Sequence, residues 1–133
     1  MLIMVIDDEL ISRKKLAEIL KPFGECMEFD RGDVALVAYE KARKEYKQID
    51  LVTIDISMPY LNGLSVLHKI RDIETELGVP KELKAKVIMV TSENDRNKFM
   101  DAMQQGCDDY ILKPFDENNI LERLKSHNIL PKT

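Results

Sequence analysis

Five short apolar runs alternate along this chain with five segments whose apolar residues recur at helical spacing. The runs are Leu2–Ile6, Cys26–Phe29, Asp50–Ile54, Lys86–Val90 and Asp109–Leu112. Among the helical segments, Glu9–Phe23 carries Leu16, Ile19, Leu20 and Phe23, and Gly32–Tyr46 carries Val34, Val37, Ala38 and Ala42. The segment after Gly63 carries Val66, Leu67, Ile70 and Ile73. Asn94–Gln105 turns Phe99, Met100 and Met103 inward, and Asp116–His127 turns Ile120, Leu121 and Leu124. Strands that alternate with helices of this length build βαβ units, and so a parallel sheet. Right-handed crossovers then put helices on both faces.

The expected fold is α/β, a flavodoxin-like (βα)5 doubly wound sandwich with a parallel five-stranded sheet in the order 2-1-3-4-5. A chain of 133 residues is long enough for one core, so residues 1–130 are read as a single domain and 131–133 as a C-terminal tail. Glu74–Ala85, polar and interrupted by Gly78 and Pro80, reads as a long surface loop. Lys41-Ala42-Arg43-Lys44 reads as a solvated helix face, and His68 and His127 as partly exposed structural residues.

Four of the five strands end on residues that carry chemistry. The first runs into Asp7-Asp8, the third into Asp55, the fourth into Thr91 and the fifth into Lys113-Pro114. In an open parallel sheet, ligands gather beyond the carboxyl ends of the strands, at the point where the strand order reverses. In the order 2-1-3-4-5 that point lies between the first and third strands, which end in Asp7-Asp8 and Asp55. Three carboxylates, one hydroxyl and one ammonium therefore converge. A single lysine does not balance three carboxylates, so the set asks for a divalent cation with oxygen ligands. Mg²⁺, which takes one or two carboxylates and keeps several waters, suits it. Asp55 is the candidate nucleophile, because a carboxylate can attack a phosphoryl group and form an acyl phosphate. Such transfer is promoted by positioning and by neutralising charge on the equatorial oxygens; a metal, Lys113 and Thr91 can each take one. Taken singly, Asp7 and Asp8 could cap a helix, Thr91 could be an ordinary strand residue and Lys113 a solvated one. Their arrangement as a set carries the reading.

The same pieces resemble the receiver domain of two-component response regulators, the CheY-like family. They are Val5-Ile6-Asp7-Asp8-Glu9, Asp55-Ile56-Ser57-Met58-Pro59 with Asn62-Gly63, Val90-Thr91-Ser92, and Gly106-Cys107-Asp108-Asp109-Tyr110-Ile111-Leu112-Lys113-Pro114-Phe115. The likeness runs from about Leu2 to His127.

The resemblance implies that Asp55 is a phosphoacceptor, charged from a phosphohistidine on a histidine kinase or histidine phosphotransfer protein. It implies that Asp8 and Asp55 bind Mg²⁺ directly, Asp7 through water, and the Ser57 main-chain carbonyl as the remaining protein ligand. Lys113 would pair with the phosphate and the Asp55 carboxylate, and the Lys113-Pro114 peptide would be cis. Thr91 and Tyr110 would form a switch pair that remodels the face of the fourth helix, fifth strand and fifth helix. Ser57 and Glu93 stand where the family tunes dephosphorylation, and Ser92 stands where it often has alanine.

The function expected is thus a phosphorylation-dependent signalling switch with a downstream protein target and a possible phosphorylation-dependent homodimer. It would catalyse only its own phosphorylation and dephosphorylation. A Mg²⁺-dependent aspartyl-phosphate phosphatase is a rival, but that family places a second acid where this chain has Ser57. A nucleotide or flavin binder would need a Gly-rich loop where Asp7-Asp8-Glu9 stands, and a docking module would not need the full residue set. A net charge of −4 with interleaved signs argues against nucleic-acid binding, and no apolar run is long enough to span a membrane. The N-terminus turns acidic too early for a signal peptide. Isolated Cys26 and Cys107 read as buried reduced thiols of a cytoplasmic protein.

Overall fold

The computed structural model describes residues 1–92 and 96–131, with only the backbone of Arg96. Glu93, and Asn94 where the fourth helix was expected to start, lie outside the described residues, as do Lys132 and Thr133 of the tail. The strands are β1 (Leu2–Ile6), β2 (Glu25–Phe29), β3 (Leu51–Asp55), β4 (Lys86–Thr91) and β5 (Asp109–Leu112). The helices are α1 (Leu10–Leu20), α2 (Gly32–Lys44), α3 (Gly63–Glu76), α4 (Arg96–Gln104) and α5 (Glu117–Ser126), with 3₁₀ turns at Lys21–Phe23 and Lys81–Leu83. The sheet is wholly parallel and has the expected order β2-β1-β3-β4-β5.

Alternate side chains of the central strands feed two separate cores. Met4, Ile6, Val52, Ile54, Val87 and Met89 pack with Tyr39 of α2 and Leu67 and Ile70 of α3. Ile3, Val5, Leu51, Ile88, Val90 and Ile111 pack with Leu16 and Leu20 of α1 and Ile120 and Leu124 of α5. Full burial of one such side chain stabilises by about 1.5–3 kcal/mol, so a one-residue slip of any central strand would exchange its two faces and is strongly resisted. The register pairs Ile6 with Ile54, Asp55 with Val90 and Thr91 with Leu112. The residues just beyond Ile6 and Ile54 are Asp7 and Asp55, which therefore emerge level at the carboxyl edge.

Several local expectations are corrected. Glu74–Ala85 is not a loop throughout: α3 continues to Glu76, Gly78 takes a positive φ of 64° after it, and the Glu74 side chain is fully buried. Its carboxylate is satisfied inside the protein, which is how an acid comes to occupy an inward helical position. The Lys41–Lys44 run is not fully solvated, since Arg43 is buried and donates to the Tyr39 hydroxyl and to the Ile49 and Leu83 carbonyls. On α2 the buried side is Ala35, Tyr39 and Ala42, while Val34 and Val37 are 52% and 70% exposed. On α4, Phe99 packs on the core and Ala102 is buried, but Met100 and Met103 are exposed. The first helix stops at Leu20, where the 3₁₀ turn bearing Pro22 takes over. β3 begins and ends one residue later than expected, and the Asp50 carboxylate before it accepts the Leu2 amide at 2.8 Å. Cys107 is buried but Cys26 only partly so, and both are free thiols. His68 is exposed beside Asp72, and His127 caps α5 with its ring 2.8 Å from Asp109.

Candidate functional site

The carboxyl edge of the sheet holds an open cleft of about 410 Å³ lined by Asp8, Glu9, Asp55, Ser57, Ser92 and Lys113. Asp7 and Asp55 are buried and Asp8 is exposed, and one carboxylate oxygen from each lies within 4.8 Å of the others. Lys113 reaches in from the end of β5. Its Nζ lies 3.1 Å from Asp7 Oδ2, 3.4 Å from Asp55 Oδ2 and 3.9 Å from Glu9 Oε1.

Main-chain groups fix the acids. Asp7 Oδ1 accepts the Glu9 amide at 2.9 Å, and Asp55 Oδ1 accepts the Ser57 amide at 3.1 Å. The Asp7 amide donates to the Phe29 carbonyl, the Ile56 amide to the Val90 carbonyl and the Lys113 amide to the Thr91 carbonyl. Asp7, Ile56 just after Asp55, and Lys113 are thereby each held by the strand next to their own. Thr91 is buried, with its hydroxyl donating to the Ser92 carbonyl at 3.1 Å. The Lys113–Pro114 peptide is cis.

The charges do not balance. Burial, then the neighbouring Asp7 carboxylate, push the Asp55 carboxyl up to about 7, against the opposing pull of Lys113 and the Ser57 amide. Burial works against the Lys113 ammonium, but Asp55 and Asp7 outweigh it and raise its pKa. A buried acid that has to share one cation with a second acid is short of positive charge. The donors are hard oxygens, two of them on buried acids, so Asp7, Asp8 and Asp55 fit a divalent cation of the Mg²⁺ kind.

The structure thus brings Asp7, Asp8, Asp55 and Lys113 into one cluster, with Ser57 on the cleft wall and Thr91 at the adjoining strand end. Tyr110 stands apart, half-buried on the face formed by α4, β5 and α5, where its ring packs at a tilt against that of Phe99. Sequence reasoning gave no role at the site to three contributors. Arg13 of α1 donates to the Asp7 carbonyl at 2.9 Å. Glu9 adds a third carboxylate near Lys113. At the start of α3, a Cβ on Gly63 would stand 2.3 Å from the Asp55 carbonyl oxygen. The Asn62-Gly63 pair stands among the motif pieces of the sequence, but only the packing shows that glycine is required there for close approach to the Asp55 main chain.

A doubly wound parallel sheet of this order, with an acidic cluster facing a lysine at its switch point, defines the CheY-like class of receiver folds. Residues 3–125 match the response regulator receiver domain family, and the chain belongs to it. It is 38% identical over 122 residues to protein CcdB of Bacillus subtilis, covering 90% of this chain and 91% of that one. It is 32% identical over 124 residues to the chemotaxis protein CheY of the same organism, covering 92% of each. Among solved structures it is similar to the complex of CheX, CheY, BeF₃ and Mg²⁺ from Borrelia burgdorferi, with a TM-score of 0.78 and 25% identity over 97% of this chain and 90% of that one. The chain is a receiver domain of the response-regulator type, consistent with two-component signalling. Among the described residues no helix is long and apolar enough to cross a membrane.

Proposed function

We propose that this receiver is a phosphorylation-dependent switch with Asp55 as its phosphoacceptor. The observation that carries the reading is the shared cluster of Asp7, Asp8, Asp55 and Lys113 around one undercompensated buried carboxylate. An Asp55 carboxylate oxygen attacks the phosphorus of a phosphohistidine on a histidine kinase or phosphotransfer protein. The new O–P bond forms as the P–N bond breaks, and the departing imidazole takes up a proton. Asp7, Asp8, Asp55 and the Ser57 main-chain carbonyl would hold Mg²⁺, which neutralises charge on the carboxylates and the phosphoryl oxygens. Lys113, already beside Asp55, pairs with a second phosphoryl oxygen, and the Thr91 hydroxyl turns from the Ser92 carbonyl towards a third. Phosphorylation adds about −1.5 to −2 charges, and Thr91 and Tyr110 convey the change to the α4–β5–α5 face as a shift between two packings.

The output on this reading is contact with a downstream protein or a second copy of the chain, not turnover of an external substrate. Free Cys26 and Cys107 are in keeping with a reducing cytoplasm.

Intact-mass spectrometry after incubation with acetyl phosphate tests the reading. Wild type is expected to gain one phosphoryl group only with Mg²⁺ present, and Asp55→Asn to gain none. Wild type that neither gains mass nor binds beryllofluoride in a Mg²⁺-dependent way would overturn it.

A further inference from the structure

Tyr110 is held by contacts from two helices. Its ring centroid lies 4.3 Å from that of Phe99 on α4, at a tilt of 51°. The Arg123 guanidinium of α5 stands over the ring, 4.8 Å from its centroid. Arg123 is itself anchored, since Nη1 donates to Asp109 Oδ1 at 3.1 Å. The same Asp109 oxygen accepts the Tyr110 amide at 2.8 Å, and the other oxygen meets His127 Nε2 at 2.8 Å. One carboxylate, whose side chain is 12% exposed, therefore fixes both the cation that covers the ring and the main chain that bears it. A groove of about 460 Å³ runs from Tyr110 and Arg123 to Lys113 and Pro114, so the Tyr110–Arg123 pair and the cleft lysine line one cavity.

We infer that Arg123, anchored by Asp109, is a positioning residue that latches the Tyr110 ring in its half-exposed place and sets how readily the α4–β5–α5 face answers modification at Asp55. The inference rests on the switch reading of Thr91 and Tyr110 given above. Any packing in which the ring leaves the guanidinium forfeits the stack. For a cation–π contact at a partly exposed site, that loss corresponds to about two- to fivefold in population. The latch does not create the second packing; it lowers how often that packing is visited. Lysine at this position would keep a charge facing Asp109 but lose the planar group that covers the ring.

The test is ¹⁹F NMR of the full chain carrying 3-fluorotyrosine, with the Tyr110 resonance assigned by Tyr110→Phe, during titration with beryllofluoride in Mg²⁺. In wild type the Tyr110 resonance moves as beryllofluoride binds. In Arg123→Ala it starts partway to that end point, and the half-saturating concentration falls about two- to fivefold. Arg123→Lys and Asp109→Asn show smaller changes of the same sign, and Mg²⁺ affinity without beryllofluoride stays constant in all three. A merely structural role would lower thermal stability and leave the midpoint in place. An unchanged resonance and midpoint in the Arg123 variants, beside a wild type that responds, overturns the latch and leaves the switch reading standing. A wild-type Tyr110 resonance that stays put while beryllofluoride binds overturns the switch reading, and the latch with it. If Arg123→Ala does not fold, Arg123→Lys and Asp109→Asn carry the same comparison.

Discussion

Buried charge occurs at both ends of this sheet. At the amino ends of β3 to β5, Glu74 receives Arg71 Nη1 at 2.7 Å, the Tyr39 hydroxyl at 2.8 Å and the Ala85 amide at 2.9 Å, with Arg43 Nη2 at 3.5 Å. Arg71 continues outward to the Gly106 and Ala85 carbonyls and to Asp108. Burial and the adjacent Glu74 push the Tyr39 phenol up, which keeps it a donor. Two guanidiniums, a hydroxyl and an amide around one carboxylate leave nothing unmet. At the carboxyl ends, two buried acids divide one ammonium. Burial of charge is common to the two regions and so does not itself mark function. The imbalance does, because a closed network rigidifies the fold while an open one has an appetite for cations and for groups that arrive with them.

The comparison can be broken by opening the closed end. Glu74→Ala would leave Arg43 and Arg71 facing each other without their acid, and stability measured by urea unfolding should fall by about 3–5 kcal/mol. On the proposed function the folded fraction should take up a phosphoryl group as wild type does, since the network lies at the far end of the sheet. A smaller loss should follow from pushing on the cleft from behind. Gly63→Ala sets a Cβ against the Asp55 main chain, and overpacking of this kind should remove about 2–3 kcal/mol and weaken Mg²⁺ binding as Asp55 shifts. The smallest effect, and opposite in sign, is expected from relieving the open end. The folded Asp55 carboxyl titrates near 7 against an ordinary 3.8. Between those values the folded chain keeps a proton that the unfolded chain has lost, so metal-free stability is full below the lower value and falls as pH rises through the upper. Asp55→Asn removes that penalty. The full shift would correspond to about 4 kcal/mol, and solvent in the open cleft screens most of it, so the gain should be about 1–2 kcal/mol at pH near 8 and nothing near pH 4, as thermal unfolding across pH would show. Added Mg²⁺ should raise the melting temperature of wild type and not of the variant.

The open end was legible in the sequence and the closed end was not, for a physical reason. Asp7, Asp8, Asp55, Thr91 and Lys113 each follow an apolar β-branched run directly, so alternation and strand order suffice to bring them together. Glu74 and Arg43 sit on inward helical positions, where a polar residue reads as a break in the stripe. Glu74 was therefore assigned to a loop and Arg43 to solvent. Tyr39 and Arg43 present apolar bodies with polar tips, and a binary pattern cannot credit both. On α2 that left Val34 and Val37 as the apparent core face in place of Ala35 and Tyr39. On α4 the error ran the other way, because Met100 and Met103 are apolar by type and exposed in fact. Gly63 and Arg13 act through the main chain of the acids, and no side-chain pattern announces such a contact.

The cleft draws on the ends of four strands, and this makes it divisible. Gly78, with its positive φ and open surroundings, lies between α3 and β4. Cleavage there would part the chain into one fragment with Asp7, Asp8 and Asp55 and another with Thr91 and Lys113. The first would hold an acid cluster with no ammonium, the second an ammonium with no acid. The β3–β4 pairing that would rejoin them is also what completes the charge arrangement. On the proposed function, uptake of a phosphoryl group by a two-piece form of this protein would report reassembly, and the protein would serve as its own complementation assay.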